Sequence, residues 1–335
     1  MTWFAAKDWR FWSLAVAAVA ILGALFMPRI ETERDVSDIL FVIDITGSMN
    51  TRDVEANGAT ASRLELVRST ILETIQRIDC RSKVGLGLFT ERRSFLLFEP
   101  VEICGNYAPI SGALQEIDWR MAWEGDSYIA KGLYSALDIA DSGGWNLVFF
   151  TDGHEAPPLA HGEIPDFEGK PGAVAGLIVG VGGTEKVPIP KFDLDGRETG
   201  TWRATEVTQE NRVGVPPKDA SLRAGWHPRN APWGASSSTG EEHLTSRRDE
   251  HLEVLAGKTS LHYLKLGQGP SLVATMGKAL SSRRILVASD VSQYPAWFAL
   301  VVLAALFAGA PLAALGTRMN SRTNALHSRK GIASL

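Results

Sequence analysis

Asp44, Thr46 and Ser48 occupy alternate positions directly after the apolar run Ile39–Ile43. In an extended loop alternate side chains point to one side, so three hard oxygens can converge there. Such donors suit a small divalent cation of the magnesium type, with calcium or manganese as alternatives. Two later stretches add to the set. Ser127 follows a Gly125-Asp126 turn and opens an amphipathic segment, and Asp152 ends a second apolar run within Thr151-Asp152-Gly153. Asp44, Thr46, Ser48, Ser127 and Asp152 supply two carboxylates and three hydroxyls. A water or a partner's carboxylate would complete six-fold coordination. Asp-x-Thr-x-Ser by itself arises in loops by chance; its force here comes from the order of strand, loop and downstream acid.

Other reactive residues are weaker candidates. His154 and Glu155 follow Asp152 and read as a solvated loop pair before they read as a second metal site. Asp126 fits two roles, orienting Ser127 or simply making the turn. The seven histidines are scattered, so no Ser-His-Asp or Cys-His arrangement can be argued. Cys80 and Cys104 are the only cysteines, too few for a zinc site.

The elements that position these residues follow from hydrophobic pattern. Ile39–Ile43 and Asn146–Phe150 carry no charge and read as buried strands of a parallel sheet. Ligands of such sheets bind at the carboxyl edge. Ser62-Arg63-Leu64-Glu65 is a capping box, and Leu64, Val67, Ile71, Ile75 and Ile78 give the following helix one apolar face. Val84–Phe89 and Ser94–Phe98, joined by Glu91-Arg92-Arg93, form an antiparallel hairpin. That hairpin returns Cys104 to the sheet end near Cys80, which allows a bridge; two free buried thiols are the alternative. Helices are expected over 108–117, 129–139, 248–256 and 271–280, and strands over 173–181 and 261–266. The alternation gives an α/β, Rossmann-like, doubly wound and mostly parallel sheet. Periodicity fails over about 183–247, a Pro-, Gly-, Ser- and Thr-rich insertion containing Trp202, Trp226 and Trp233. Its start, from Val187 to Gly196, has the composition of a small β-hairpin. The tryptophans tack the insertion to the sheet or contact a partner.

Composition then sets the boundaries. The 335-residue chain has 45% hydrophobic residues and a net charge of −4. Residues 11–28 and 291–317 are uncharged, and about 17–25 such residues span a bilayer. No small-x-small cleavage site ends the first run, which favours an anchor over a signal peptide. The tail bears Arg318, Arg322, Arg329 and Lys330 without an acid, so it is expected inside. The expected organisation is a cytoplasmic N-terminus over 1–10, transmembrane helices at 11–28 and 294–316, and a basic cytoplasmic tail at 317–335. Between the spans lies an outer domain at 36–285. In a bacterium this is an inner-membrane protein facing the periplasm. Removing head and tail leaves the outer domain at about −9, which makes nucleic acid an unsuitable partner.

With these residues in place, the chain resembles the von Willebrand factor A (VWA) domain and its metal-ion-dependent adhesion site, MIDAS. The family pattern is Asp-x-Ser-x-Ser, then Thr, then Asp. The matching positions are Asp44, Thr46, Ser48, Ser127 and Asp152, with one hydroxyl exchanged for another at 46 and 127. Met49–Arg63, Phe98–Ile117 and Val187–Pro190 resemble membrane-anchored bacterial VWA proteins of the aerotolerance (Bat) type. Trp119–Trp123 and Thr151–Pro158 resemble the VWA proteins encoded with methanol dehydrogenase, the MxaL type and less closely MxaC. The resemblance implies a non-enzymatic, magnesium-dependent module that binds a periplasmic partner's Asp or Glu. It further implies a role in maturing and calcium-loading a quinoprotein methanol dehydrogenase, beside a MoxR-type AAA+ ATPase and other VWA proteins. A second resemblance competes: Asp44-Ile45-Thr46-Gly47-Ser48 is similar to the Asp-Lys-Thr-Gly-Thr of haloacid-dehalogenase and P-type ATPase phosphotransferases. There Asp44 would be a nucleophile, but Ile45 replaces the lysine and the outer location denies access to ATP.

Overall fold

A computed structural model describes residues 8–27, 30–56, 58–122, 125–159, 163–193, 195–207, 241–269 and 271–307. The chain opens with helix α1 (Trp9–Leu25) and strand β1 (Ile30–Val36). Strand β2 (Asp38–Asp44) leads through a 3-10 turn (Gly47–Asn50) to the hairpin β3 (Val54–Ala56) and β4 (Ala59–Ala61), then helix α2 (Arg63–Ile75). The hairpin β5 (Lys83–Thr90) and β6 (Arg93–Glu102) precedes α3 (Tyr107–Glu116), a 3-10 turn (Trp119–Met121) and α4 (Ile129–Gly143). Strands β7 (Asn146–Thr151) and β8 (Gly176–Gly180) come next. The short β9 (Val187–Pro188), β10 (Pro190–Phe192), β11 (Glu198–Thr201) and the single turn α5 (Ala204–Val207) follow. Then come β12 (Leu244–Thr245), α6 (Asp249–Thr259), β13 (His262–Lys265), α7 (Leu272–Ala279) and β14 (Arg283–Ser289), and residues 293–307 are helical.

Two units result: Asp35–Arg284, and the terminal segments Met1–Arg34 with Ile285–Leu335. The first is built on one six-stranded sheet in the order β13-β8-β7-β2-β5-β6. Five strands run parallel and only β6 is antiparallel, as the short β5–β6 turn requires. The strands are apolar at successive positions because both faces are covered. Ile39, Phe41, Ile43, Val148, Phe150 and Val179 share one core with Val67 and Ile71 of α2 and Leu114 of α3. The alternate residues Leu40, Val42, Leu147, Phe149 and Ile178 share the other with Leu133 and Leu137 of α4 and Leu252 of α6. Each such buried side chain contributes roughly 1.5–3 kcal/mol. The strong pattern of α2 is fixed at its start by a complete capping box, Ser62 with Glu65.

Cys80 and Cys104 are joined in a disulfide at the end of the sheet opposite the Asp44 edge. Of the alternatives open in the sequence, the bridge is the one realised. Between residues 36 and 285 the expected strands and helices form within a few residues of their expected limits. The charged stretch 30–36, which has no strand signal in the sequence, forms β1, which pairs with β14. The insertion begins as an ordered arm. β10 and β11 form the expected hairpin, closed by the Asp193 carboxylate, which accepts the amides of Asp195 and Arg197. The base of the arm is tied by β9 to β12, Val187 facing Thr245. Trp202 packs under the Lys191 ammonium at 4.7 Å; Trp226 and Trp233 lie outside the described residues.

In the terminal unit, α1 has 17 residues, and among the described residues no helix is long and apolar enough to cross a membrane. Residues 308–316 of the second apolar run and the tail lie outside the described residues.

Candidate metal centre

All five parallel strands end at one edge of the sheet, and the loops beyond that edge carry the expected ligands. Asp44 is the last residue of β2 and is fully buried. Its Oδ1 accepts the amide of Thr46 at 2.9 Å and its Oδ2 accepts the hydroxyl of Thr151 at 2.7 Å, the last residue of the neighbouring β7. Thr46 Oγ1 and Ser48 Oγ lie 3.4 Å apart, both buried, where the 3-10 turn curls the chain back over the strand end. Burial first, and the nearby charge of Asp152 second, push the Asp44 carboxyl up to about 7.

Asp152 follows β7 and is also fully buried. Its Oδ1 accepts the amide of His154 at 2.9 Å. Its Oδ2 accepts Arg63 Nη1 at 2.5 Å and Thr245 Oγ1 at 3.0 Å. Burial raises the pKa of this carboxyl, but Arg63, His154 and the hydrogen bonds outweigh it, and Asp152 lies below the usual carboxylate range. Gly153 turns the chain away at φ +77°, where a Cβ would meet Leu252 at 2.9 Å, so only glycine serves there.

Ser127 reaches the same edge by a different route. Its amide and carbonyl pair with Ala156, and the Tyr128 amide donates to the Glu91 carbonyl. These bonds hold Ser127 between the end of β5 and the loop after β7, the two strands that flank β2. The Ser127 hydroxyl is buried and has no hydrogen-bond partner among the described residues. An orphaned buried hydroxyl costs about 1–3 kcal/mol, and a cation ligand would satisfy it. The structure thus brings all five expected residues to one edge.

Two further residues, Arg63 and Thr245, belong to this site and were not among the expected ligands. Arg63, with no exposed surface, holds Asp53 through Nε and Nη2 at 2.9 and 2.6 Å while Nη1 reaches Asp152 and Thr245. Gly182, at φ +104°, leaves room for the guanidinium that a Cβ there would strike. A hint of Arg63 was present: a cation in the first turn of a helix opposes the helix dipole, so it needs a dedicated acid. Thr245, inside an aperiodic segment, gave no signal. With Asp44 ionised, as a bound cation would keep it, Asp44, Asp53 and Asp152 against one Arg63 leave two uncompensated negative charges, the charge of one divalent cation. Among the described residues no three His, Cys, Asp or Glu side chains are placed to hold a metal. The candidate site depends instead on hydroxyls for three of its five oxygens, and hard-cation chemistry fits that set.

The His154–Glu155 pair differs from the solvated loop expected. His154 is buried, and burial lowers its pKa. Glu155 caps α4, accepting the amides of Ile129 and Ala130 at 3.0 and 3.1 Å, and meets His251 Nε2 at 3.1 Å. It therefore holds the helix that begins just after Ser127. Asp126 is buried and gives no hydrogen bond to the Ser127 hydroxyl, so it does not orient that ligand. The phosphotransferase alternative finds no support: both oxygens of Asp44 are engaged in a fully buried position.

Curated proteins give no match. Among solved structures the chain is similar to an aerotolerance-related membrane protein of Bacteroides fragilis, at 15% identity over 72% of this chain and 98% of that one, TM-score 0.44. It is similar to BatB of Bacteroides thetaiotaomicron at 16% identity over 72% and 96%, TM-score 0.44. Proximal thread matrix protein 1 of the mussel byssus, solved with zinc in its MIDAS motif, matches at 15% identity over 45% and 40%, TM-score 0.29. Likenesses at these levels carry no inference about function. Residues 39–154, which include all five oxygen ligands, match the family model of the von Willebrand factor type A domain. The chain carries a VWA domain, with the α/β fold and mixed sheet of that family.

Proposed function

We propose that this protein is a divalent-cation-dependent docking module, with Asp44, Thr46, Ser48, Ser127 and Asp152 holding the cation. The observation that carries the reading is the buried, unpartnered hydroxyl of Ser127 on the sheet edge that also buries two carboxylates. A bound Mg2+ would offer an open coordination position to a carboxylate oxygen of a partner protein. The chain's own residues do the rest. Thr151 and Thr46 fix the Asp44 carboxylate, Arg63 and Thr245 fix that of Asp152, and Glu155 anchors the helix behind Ser127. VWA domains are generally non-enzymatic interaction modules, and we assign no catalysis to this one. Titration with Mn2+ read by electron paramagnetic resonance tests the site. The wild-type chain is expected to bind one Mn2+ that Mg2+ displaces; Asp44→Ala should bind none while keeping its fold. Equal Mn2+ uptake by the variant would overturn the reading.

The same proposal anchors the domain in a bacterial inner membrane through residues 11–28 and 294–316, with the domain in the periplasm and the tail inside. Support comes from the uncharged runs, the exposed Trp12, Val19 and Leu22 of α1 and Phe298 and Val301 of the last helix, and the basic tail. The disulfide suits an oxidising compartment. Against it, 17 helical residues span about 26 Å where a hydrocarbon core is about 30 Å. Protease accessibility of the domain in intact spheroplasts decides the orientation. For the partner we propose a periplasmic quinoprotein methanol dehydrogenase whose calcium loading the module assists, with a MoxR-type ATPase and other VWA proteins alongside. Its support is the resemblance over residues 119–123 and 151–158. Normal calcium content in the dehydrogenase of a strain lacking this chain would dismiss it.

A further inference from the structure

A cleft of about 310 Å³ opens one residue beyond Asp152, lined by Gly153, His154, Glu155, Arg248 and His251, with Glu241 and Glu242 at its rim. Two of its walls hang from the metal ligand itself: the His154 amide donates to Asp152 Oδ1 and the Arg248 amide to the Asp152 carbonyl. Most charged groups here already have partners. Glu155 caps α4 and meets His251, Glu241 pairs with Lys186, and Glu242 is engaged as well. Two groups are left over. The His154 ring is 4% exposed, and neither ring nitrogen has a hydrogen-bond partner among the described residues. The Arg248 guanidinium, half-buried at the mouth of α6, lies near enough to Glu241 and His154 to act on their charge, but among the described residues it makes no close ion pair or side-chain hydrogen bond. Both leftover groups can donate hydrogen bonds, and a guanidinium recognises a carboxylate in two-pronged fashion.

We infer that this cleft takes a second carboxylate of the docking partner, bound by Arg248 and His154, beside the one that reaches the cation. The partner segment would then carry two acidic residues close in sequence, and specificity would come from their spacing. This inference rests on the docking function proposed above. A buried, unpartnered imidazole that opens onto a cleft beside the metal loop has an energetic cost the fold tolerates, which a ligand hydrogen bond would remove.

Fluorescently labelled, end-capped peptides test it against the purified full chain in Mg2+ or EDTA, with anisotropy as readout. One peptide carries a single Asp; a second set carries two Asp separated by one, two or three residues. At least one two-Asp peptide should bind about tenfold tighter than the single-Asp peptide in Mg2+, the scale of one charge-assisted hydrogen bond. Arg248→Gln and His154→Ala should each erase that gain, and Arg248→Gln should leave single-Asp binding unchanged, which also certifies the folded site. If no spacing improves on a single Asp, or the gain survives in both variants, the cleft assignment is wrong. If single-Asp binding itself ignores EDTA, the metal-docking reading fails instead.

Discussion

Removing the Arg63 guanidinium is the sharpest single test of how this site is held. Arg63→Met keeps length and apolar stem but deletes five donors, which make four hydrogen bonds to Asp53, Asp152 and Thr245. Both ends of the Arg63–Asp152 pair have no exposed side-chain surface, and the Asp53 end is 9% exposed. Breaking a buried pair leaves an uncompensated charge and costs about 3–5 kcal/mol. Here Asp152 loses its main cation while Asp44 stays close by, so repulsion within the site increases. In a unit of this size a loss of 1 kcal/mol lowers Tm by about 2–4 °C, so the variant should melt roughly 6–20 °C below wild type in EDTA. Arg63→Lys keeps the charge without the fork and should fall between the two. The exposed Arg52–Glu198 pair sets the contrast: Arg52→Met should change Tm little, since exposed pairs give about 0–1 kcal/mol. Thermal unfolding of the three variants by near-ultraviolet circular dichroism, in EDTA and in Mg2+, is the assay. A Tm for Arg63→Met within about 2 °C of wild type in EDTA would refute the reasoning, because that is the scale of a surface pair.

Other perturbations separate structural from site effects. Replacing both cysteines with serine opens a loop of 24 residues and should cost about 3.5 kcal/mol by chain-entropy arithmetic, read as a shift in urea midpoint. Gly132→Ala should destabilise by about 1–3 kcal/mol without touching metal binding, because a Cβ on α4 there collides with the Phe89 ring. Thr245→Val removes the hydroxyl that Asp152 accepts, costing about 1–3 kcal/mol and weakening Mn2+ uptake, measured by paramagnetic resonance. Burial acts upward on Asp249, but its bonds with Arg247, Tyr263 and Lys265 prevail and bring its carboxyl down to about 2. Its contribution is therefore present above the unfolded value near 3.8 and lost as pH falls through about 2. Asp249→Asn should lower stability at pH 7 and match wild type near pH 2 in urea titrations.

Much of the fold could be read from the sequence because its strands bury both faces. Runs such as Leu40-Phe41-Val42-Ile43 have no other stable use, and the loops that end them expose acids and hydroxyls at one edge. The Ser62–Glu65 capping box likewise placed the start of α2 within a residue. Contacts between elements distant in the chain were hidden. Arg63 looked like an ordinary helical cation until Asp53 and Asp152 were seen around it. β1 was masked by its charged residues, since a strand paired only with β14 need not be apolar. His154 looked like a surface histidine because nothing local reveals that the arm returns through Thr245 and Arg248 to bond the adjacent Asp152. The hydroxyl ligands had a weaker local signal than the acids, but alternate spacing after a strand was enough to find them.

The charges at the sheet edge explain why such a costly arrangement persists in a small domain. A core built for stability alone would put apolar groups where Asp44 and Asp152 sit, since replacing buried ions by well-packed hydrophobes is often neutral or stabilising. Arg63 could have been matched by one acid; instead it has two, with Asp44 added beside them at a raised pKa. With Asp44 ionised the excess is negative and enclosed by hydroxyls, and beside it lies Ser127 Oγ, which nothing among the described residues satisfies. Local rules of burial and pairing are broken at this edge and kept across the two cores on either side of the sheet. Functional sites are where such violations concentrate. The cost falls to a ligand that brings positive charge and takes oxygen donors, and a hard divalent cation meets both demands.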